Sequence, residues 1–331
     1  MRFLLDDEQR EFTRSLDAML TAADTPAAAR AWAAGDQALG RAAWGRLAEA
    51  GVFALAVPEE YEGVGPLPVE VALSYVELGR HAVPGPVVET VAVAALLGRL
   101  AELGDAAPAK RLLPPLASGD AIATLTLPEG GPFALDADAA TLRLSAEDAE
   151  LRLSAGQARV ERSLDPTRRL ARLRPGGELL AAGPAVTESA RYAATWASLA
   201  TAAQALGVGL ALLDKTVAYV KQRTQFGTPI GGFQAVKHRL ADVLIALEFA
   251  RPLLYGAALT MRRADVAAAK AAASEAAYGA ARAALQLHGA IGYTAEYDLS
   301  LWLTKARALR GAWGSPAVCR GLVLSTGRED G

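Results

Sequence analysis

At 331 residues and 34.4 kDa the chain is long enough for two or three packed units and a large core. Hydrophobic residues make up 52% of it, much of that alanine, and aromatics only 6%, a composition suited to helices packed at close range. Thirty-four Lys and Arg against 36 Asp and Glu, with no run of five like charges, disfavour a nucleic-acid or membrane arm. The one cysteine, Cys319, excludes an internal disulfide framework and a cysteine-rich zinc site. Apolar runs such as 91–97 and 205–213 are too short to span a bilayer, and the N-terminus lacks the apolar core of a signal peptide, so a cytoplasmic protein is expected.

Residues 1 to about 117 read as helices. Phe12, Leu16 and Met19 recur at i, i+4, i+7 behind Asp6, Asp7 and Glu8, where carboxylates suit the helix dipole. Trp44 and Leu47 continue the pattern, the proline- and glycine-broken segment 57–66 makes a loop, and helical patterns return at 68–79 and 86–100. Near Leu116 the character changes. Segments 124–127, 141–144, 150–153 and 158–161 alternate apolar and polar residues between turn material, which predicts a small antiparallel sheet with one face buried. From Pro184 the pattern is helical again: Leu199, Ala203, Leu206, Leu210, Leu213, Val217 and Val220 lay one stripe along a helix of about six turns. Phe233, Val236, Leu240, Val243, Leu247 and Leu254 make a second stripe, with Pro252 a kink or a first-turn residue, and the alanine-rich run 266–287 a third.

Two constellations interrupt these helices. In 219–234 (YVKQRTQFGTPIGGFQ), Arg223 lies at a helix end, where a cation is favoured in any case, but its rigid fork of donors equally suits a phosphate. Gly227, Gly231 and Gly232 permit close backbone approach, and the next helix start offers free N–H groups. A plain inter-helix turn and a phosphate-binding turn therefore both stay open. The second constellation, 286–296 (QLHGAIGYTAE), has Gly289 as a helix terminator and His288 with no ligand partner beside it, a packed or capping histidine. Glu248, Glu275 and Glu296 read as solvated or structural, and no nucleophile elbow, phosphate-binding P-loop or zinc spacing occurs.

Together, in this order and about sixty residues apart, the two constellations closely resemble the acyl-CoA dehydrogenase family. Segments 3–9 (FLLDDEQ) and 44–65, with a PEEYxGxG-like loop, resemble its N-terminal domain. The resemblance implies a mainly α fold with a small central β-domain: an N-terminal helical domain (1–117), a reduced antiparallel β-domain (118–182) and a C-terminal four-helix domain (183–331). It also implies FAD at a subunit interface. Arg223, Gln225, Phe226, Phe233, Gln234, Gln286 and Gly289 fall on positions that, in the family, reach the adenine-diphosphate part of a flavin bound mainly by the neighbouring subunit. Ala290 replaces the family's usual second glycine.

The family's reaction removes an α-proton with a glutamate and passes the β-hydride to the flavin. Here the position of that base falls on Trp313, and the alternative base position on Ala197. Positions that hold an Asp and an Arg near the substrate fall on Thr195 and Ser198. The nearest acid, Glu188, is about two and a half helical turns from Ala197. After the first strand, 124–131 (TLTLPEGG) lacks the Ser-Asp of the family's flavin-ring segment. The resemblance therefore implies a subunit without its own catalytic residues, in an α2β2 assembly with a homologous subunit that holds the base and most of an acyl-CoA, in some members steroid-derived, and serves an electron-transfer acceptor. Its rivals are a self-sufficient homo-oligomer with a displaced base such as Glu296, and a flavin-free helical scaffold.

Overall fold

The computed structural model describes residues 5–326. Its first part is helical: α1 (Asp7–Ala22), α2 (Thr25–Ala33), α3 (Ala38–Glu49), α4 (Pro68–Arg80), α5 (Val87–Glu102) and α6 (Ala107–Ala117). Asp6 caps α1, accepting from the Gln9 backbone while the Gln9 side chain returns to Asp6 N–H, a capping box beyond the dipole effect read from the sequence. Of the N-terminal segment that carries the family resemblance, Phe3 and Leu4 lie outside the described residues.

The sheet differs from the expectation. It is mixed, in the order β1 (Ala123–Thr126), β3 (Leu142–Glu147), β4 (Glu150–Leu153), β6 (Glu178–Ala182), with β1 and β3 parallel and the other pairs antiparallel. The connection after β1 leaves the sheet to place β2 (Ala134–Leu135) against β5 (Leu170–Ala171), so β3 re-enters alongside β1 in the same direction. Segment 158–161 forms only one isolated bridge, Glu161 to Leu170, and β6 takes the edge of β4. The sequence hides β6: its burial runs without a clean alternation, and a register shift at Leu151/Arg152 bends its partner. Thr90 stitches the sheet to α5, its Oγ1 donating to Ala123 O and accepting from Ala123 N–H.

The second helical part comprises α7 (Pro184–Gln222), α8 (Gln234–Thr260), α9 (Arg263–His288), α10 (Leu299–Gly311) and α11 (Pro316–Thr326). α7 has 39 residues, well beyond the predicted six turns. Its N-terminal half is rich in alanine, and from Ala193 onward it is buried on most sides, so no single stripe announces it. Pro184 stands at its first turn after the left-handed Gly183. α7 forms the axis of the core: α4, α5, α8, α9 and α10 all pack on it. Where α4 crosses, a Cβ at Gly207 would lie 1.9 Å from Val76 O and one at Gly79 2.2 Å from Gln204 O, so the two glycines bring the backbones into contact. α7 and α8 are each long and apolar enough to cross a membrane by length and composition, which the shorter runs read from the sequence did not show; the apolar window of α7 is 94% buried by its neighbours. Pro252 lies inside α8, neither at its start nor at a break.

Candidate functional site

The turn after α7 is a hairpin. Arg223 leaves the helix in extended backbone, and β7 (Thr224–Gln225) pairs with β8 (Thr228–Pro229). Between them Phe226 and Gly227 are both left-handed, at φ 53° and 75°. A two-residue turn of this kind favours Asn-Gly or Asp-Gly. A phenylalanine there gives up about 1–2 kcal/mol of backbone comfort, yet its ring is 91% exposed. The hairpin is anchored by Ile230 N–H donating to Arg223 O at 2.8 Å and by Gly231 lying against Val220 of α7. Phe233 then leads into α8, half-exposed, its ring edge-on to Phe226 with centroids 6.3 Å apart. Arg223, Gln225 and Gln234 are exposed. This places five of the seven predicted residues on one loop.

The other two, Gln286 and Gly289, stand at the end of α9, and the joint between the ends of α7 and α9 is one the sequence reading missed. His288 is buried and stacks on Tyr219, centroids 4.1 Å apart, with Tyr297 tilted on it at 5.7 Å. Tyr219 Oη donates to His288 O at 3.4 Å. His288 Nδ1 lies 2.8 Å from Ala284 O, so Nδ1 carries the hydrogen, and burial holds the imidazole pKa below its ordinary value. This is the packed histidine that the residues predicted. The stack joins two aromatic positions 69 residues apart, a pairing no local periodicity announces. Gly289 has φ 63° and ψ −138°, a conformation open to glycine, and Gln286 is exposed in the last helical turn. Ala290 has no left-handed backbone, so the missing second glycine costs no strain here.

At the positions expected to hold a base the structure has a closed clasp. Trp313 is 7% exposed and itself left-handed, at φ 52°. Its indole N–H donates to buried Glu89 Oε1 at 3.1 Å, and its carbonyl accepts from Ser198 Oγ at 2.7 Å. The six-membered ring lies over Gly130, where a Cβ would come within 2.6 Å of it. Gly130 belongs to the loop after β1, so Trp313 fills the space between that loop, α5 and α7. The cavity left beside it is ≈ 120 Å³, lined among others by Thr195, Ser198, Glu129, Arg263 and Cys319. Its one carboxylate, Glu129, faces Arg263 at 3.8 Å. Ala197 is fully buried, and Glu188 is held at the surface by Arg99. Glu248 and Glu275 are surface partners of Arg251 and Arg320, and Glu296 is exposed with its carbonyl held by Arg30 of α2.

Residues 6–120 match the acyl-CoA dehydrogenase N-terminal domain and residues 187–326 the acyl-CoA dehydrogenase C-terminal domain. The chain is 36% identical over 303 residues to the acyl-CoA dehydrogenase IpdE2 of Mycobacterium tuberculosis, covering 90% of this chain and 91% of that protein. It is 34% identical over 314 residues to IpdE2 of Mycolicibacterium smegmatis, covering 93% and 96%. Among solved structures it resembles the ChsE4-ChsE5 complex from Mycobacterium tuberculosis, with a TM-score of 0.82, 25% identity and coverage of 99% and 98%. It also resembles glutaryl-coenzyme A dehydrogenase, with a TM-score of 0.84, 22% identity and coverage of 98% and 96%. With matched domains at both ends and this likeness over nearly the whole length of IpdE2, the chain belongs to the acyl-CoA dehydrogenase family.

Proposed function

We propose that this chain is the base-lacking subunit of a heteromeric α2β2 acyl-CoA dehydrogenase, with domains 1–117, 118–182 and 183–331. The observation that carries this reading is the Trp313 clasp: an indole bonded to Glu89, pinned by Ser198 and seated on Gly130 fills the space where a base and an acyl chain have to meet. A ≈ 120 Å³ remnant is below the roughly 300–1,000 Å³ of ordinary ligand pockets. The homologous partner supplies the catalytic glutamate and most of the substrate site. The substrate is an α,β-saturated acyl-CoA thioester; among the structural likenesses is a steroid acyl-CoA dehydrogenase complex, and a steroid-derived acyl group is the class proposed here. The location is taken as cytoplasmic, with an electron-transfer protein as the final acceptor.

This chain's contribution is half of an FAD site. Bound FAD supplies the hydride-accepting chemistry of the acyl oxidation. The residues present fit its adenine-diphosphate end: the exposed guanidinium of Arg223 offers a planar donor fork to a pyrophosphate, and exposed Phe226 and half-exposed Phe233 offer faces to an adenine. Gly289 opens the backbone for close approach, flanked by the amide of Gln286. A strained aromatic turned fully to solvent makes sense as a contact to another subunit. The outer face of α8 fits the same assembly, with Ile245, Phe249 and Leu253 at four-residue spacing, 53%, 72% and 46% exposed. Glu296, tied to α2 through Arg30 and remote from the clasp in the fold, is not favoured as a displaced base.

Expression of the chain alone and together with the product of the neighbouring gene tests the reading. The complex is expected to be yellow and active with acyl-CoA, and Arg223→Ala to release its flavin. Stoichiometric flavin and full activity in the lone chain overturn the proposal, and a colourless active complex overturns its FAD component.

A further inference from the structure

Three side chains with metal-binding chemistry meet where α1 crosses α4, at a place the proposed oxidation does not use. Glu77 and His81 are four residues apart on α4, the spacing that sets two side chains on one helix face. Asp17 reaches them from α1, and one ligand atom of each of the three lies within 4.8 Å of the others. His81 Nε2 and Asp17 Oδ1 are already 2.8 Å apart. Glu77 is only 7% exposed, and its Oε2 is buried with no hydrogen-bond partner. The guanidinium of Arg80 stands 3.6 Å from that oxygen but spends its hydrogen bond on Asp214 Oδ2, at 3.0 Å. A buried carboxylate oxygen without a donor is costly, and the carboxylate that carries it stands beside an imidazole and a second carboxylate. His81 is also the C-cap residue of α4, where the negative end of the helix dipole favours a cation.

We infer that Asp17, Glu77 and His81 form a site for a divalent first-row transition ion of the Zn²⁺ class. One imidazole nitrogen with two carboxylate oxygens is a donor set for zinc or its borderline neighbours, whereas calcium and magnesium take oxygen alone. Bonds of about 2.0–2.2 Å to each ligand place adjacent donors roughly 3.3 Å apart in a tetrahedron. The His81–Asp17 contact therefore opens by about half an ångström, which the half-exposed Asp17 allows. Asp17 and His81 also line an open cavity of ≈ 440 Å³, which leaves room for water at the remaining coordination position. The neighbouring charges are mixed. Arg80 and Arg251 act on Glu77 and weaken the site, while Asp214 holds Arg80 and Lys215 rests on the face of Trp302, 4.1 Å from its centroid. The ion would clamp α1 to α4, so its binding free energy adds to the stability of the N-terminal helices.

The test uses the untagged full chain, purified with whatever partner it carries, stripped with a chelator and titrated with Co²⁺. Visible d–d bands saturating at one Co²⁺ per chain, bleached by Zn²⁺ and accompanied by a higher thermal midpoint, are expected. His81→Ala and the near-isosteric Glu77→Gln and Asp17→Asn should each lose the bands and the thermal shift while keeping the metal-free circular-dichroism spectrum. His238→Ala, on an exposed stretch of α8, should keep both. No d–d bands in the wild type overturns the inference, as do bands that persist unchanged in His81→Ala or vanish in His238→Ala. Should His81→Ala fail to fold, the two near-isosteric variants carry the same decision.

Discussion

At the scale of single residues, the decisive side chain is Trp313, and its environment fixes what its removal does. Trp313→Ala deletes a buried indole and is expected to cost about 3–5 kcal/mol, read as a lower denaturation midpoint. Trp313→Phe keeps most of the volume but leaves Glu89 Oε1 without its donor, a loss of roughly 1–3 kcal/mol. Adding Glu89→Leu should recover part of that loss, since the unpartnered acceptor goes with it. Lys270 gives a second prediction. It is fully buried, its ammonium donating to Ser274 Oγ, Leu309 O and Gly314 O, with no carboxylate among these partners. Burial pulls its pKa down to about 8 from 10.5. Between those two values the unfolded chain binds more protons than the folded one, so stability rises with pH across that window. The penalty is fully present below pH 8. Its relief by pH 10.5 amounts to about 3 kcal/mol, read as a rise in the midpoint of the wild type relative to Lys270→Met over the same range.

At the scale of elements, two turns and one crossing carry the argument. The turns Asp148-Ala149 and Phe226-Gly227 each hold two left-handed residues in a two-residue hairpin. Replacing Phe226 by Asn gives the second its preferred chemistry and should stabilise this chain by up to about 1 kcal/mol. The same change should weaken flavin retention in the complex, measured by absorbance after gel filtration. Opposite signs in the two measurements would separate a contact residue from a merely structural one. At the α4–α7 crossing, Gly207→Ala pushes a methyl into Val76 O. The helices have to part, at about 1–3 kcal/mol or more, whereas Ala at exposed Gly321 of α11, with open space around its Cβ, should be neutral in the same melt. The helices were legible as elements because their stripes repeat at three and four. The sheet was legible only in part, since β1, β3 and β4 alternate while β6 does not, and strand direction depends on where the chain returns rather than on the strand itself.

At the scale of the whole molecule, three features fit the proposed partner: an exposed aromatic hairpin at one end of the bundle, an apolar face on α8, and a cavity of only ≈ 120 Å³ beside Trp313. Mixing the separately expressed chain with its partner should therefore restore flavin binding and turnover together, followed by absorbance and enoyl-CoA formation. The sequence by itself determined the helical parts, the central break into strands, the family resemblance and the residues of the loop proposed to meet the flavin, because periodicity, turn chemistry and contiguous motifs are local. It also showed the absence of a glutamate at position 313. Only the tertiary structure decided what fills that position, because Glu89, Gly130, Ser198 and Trp313 come from four separate segments and become one clasp only when α5, the loop after β1, and α7 close around the indole. The Tyr219–His288 stack and the Asp17–Glu77–His81 cluster arise in the same way, since contacts between distant segments are set by packing and leave no spacing to read.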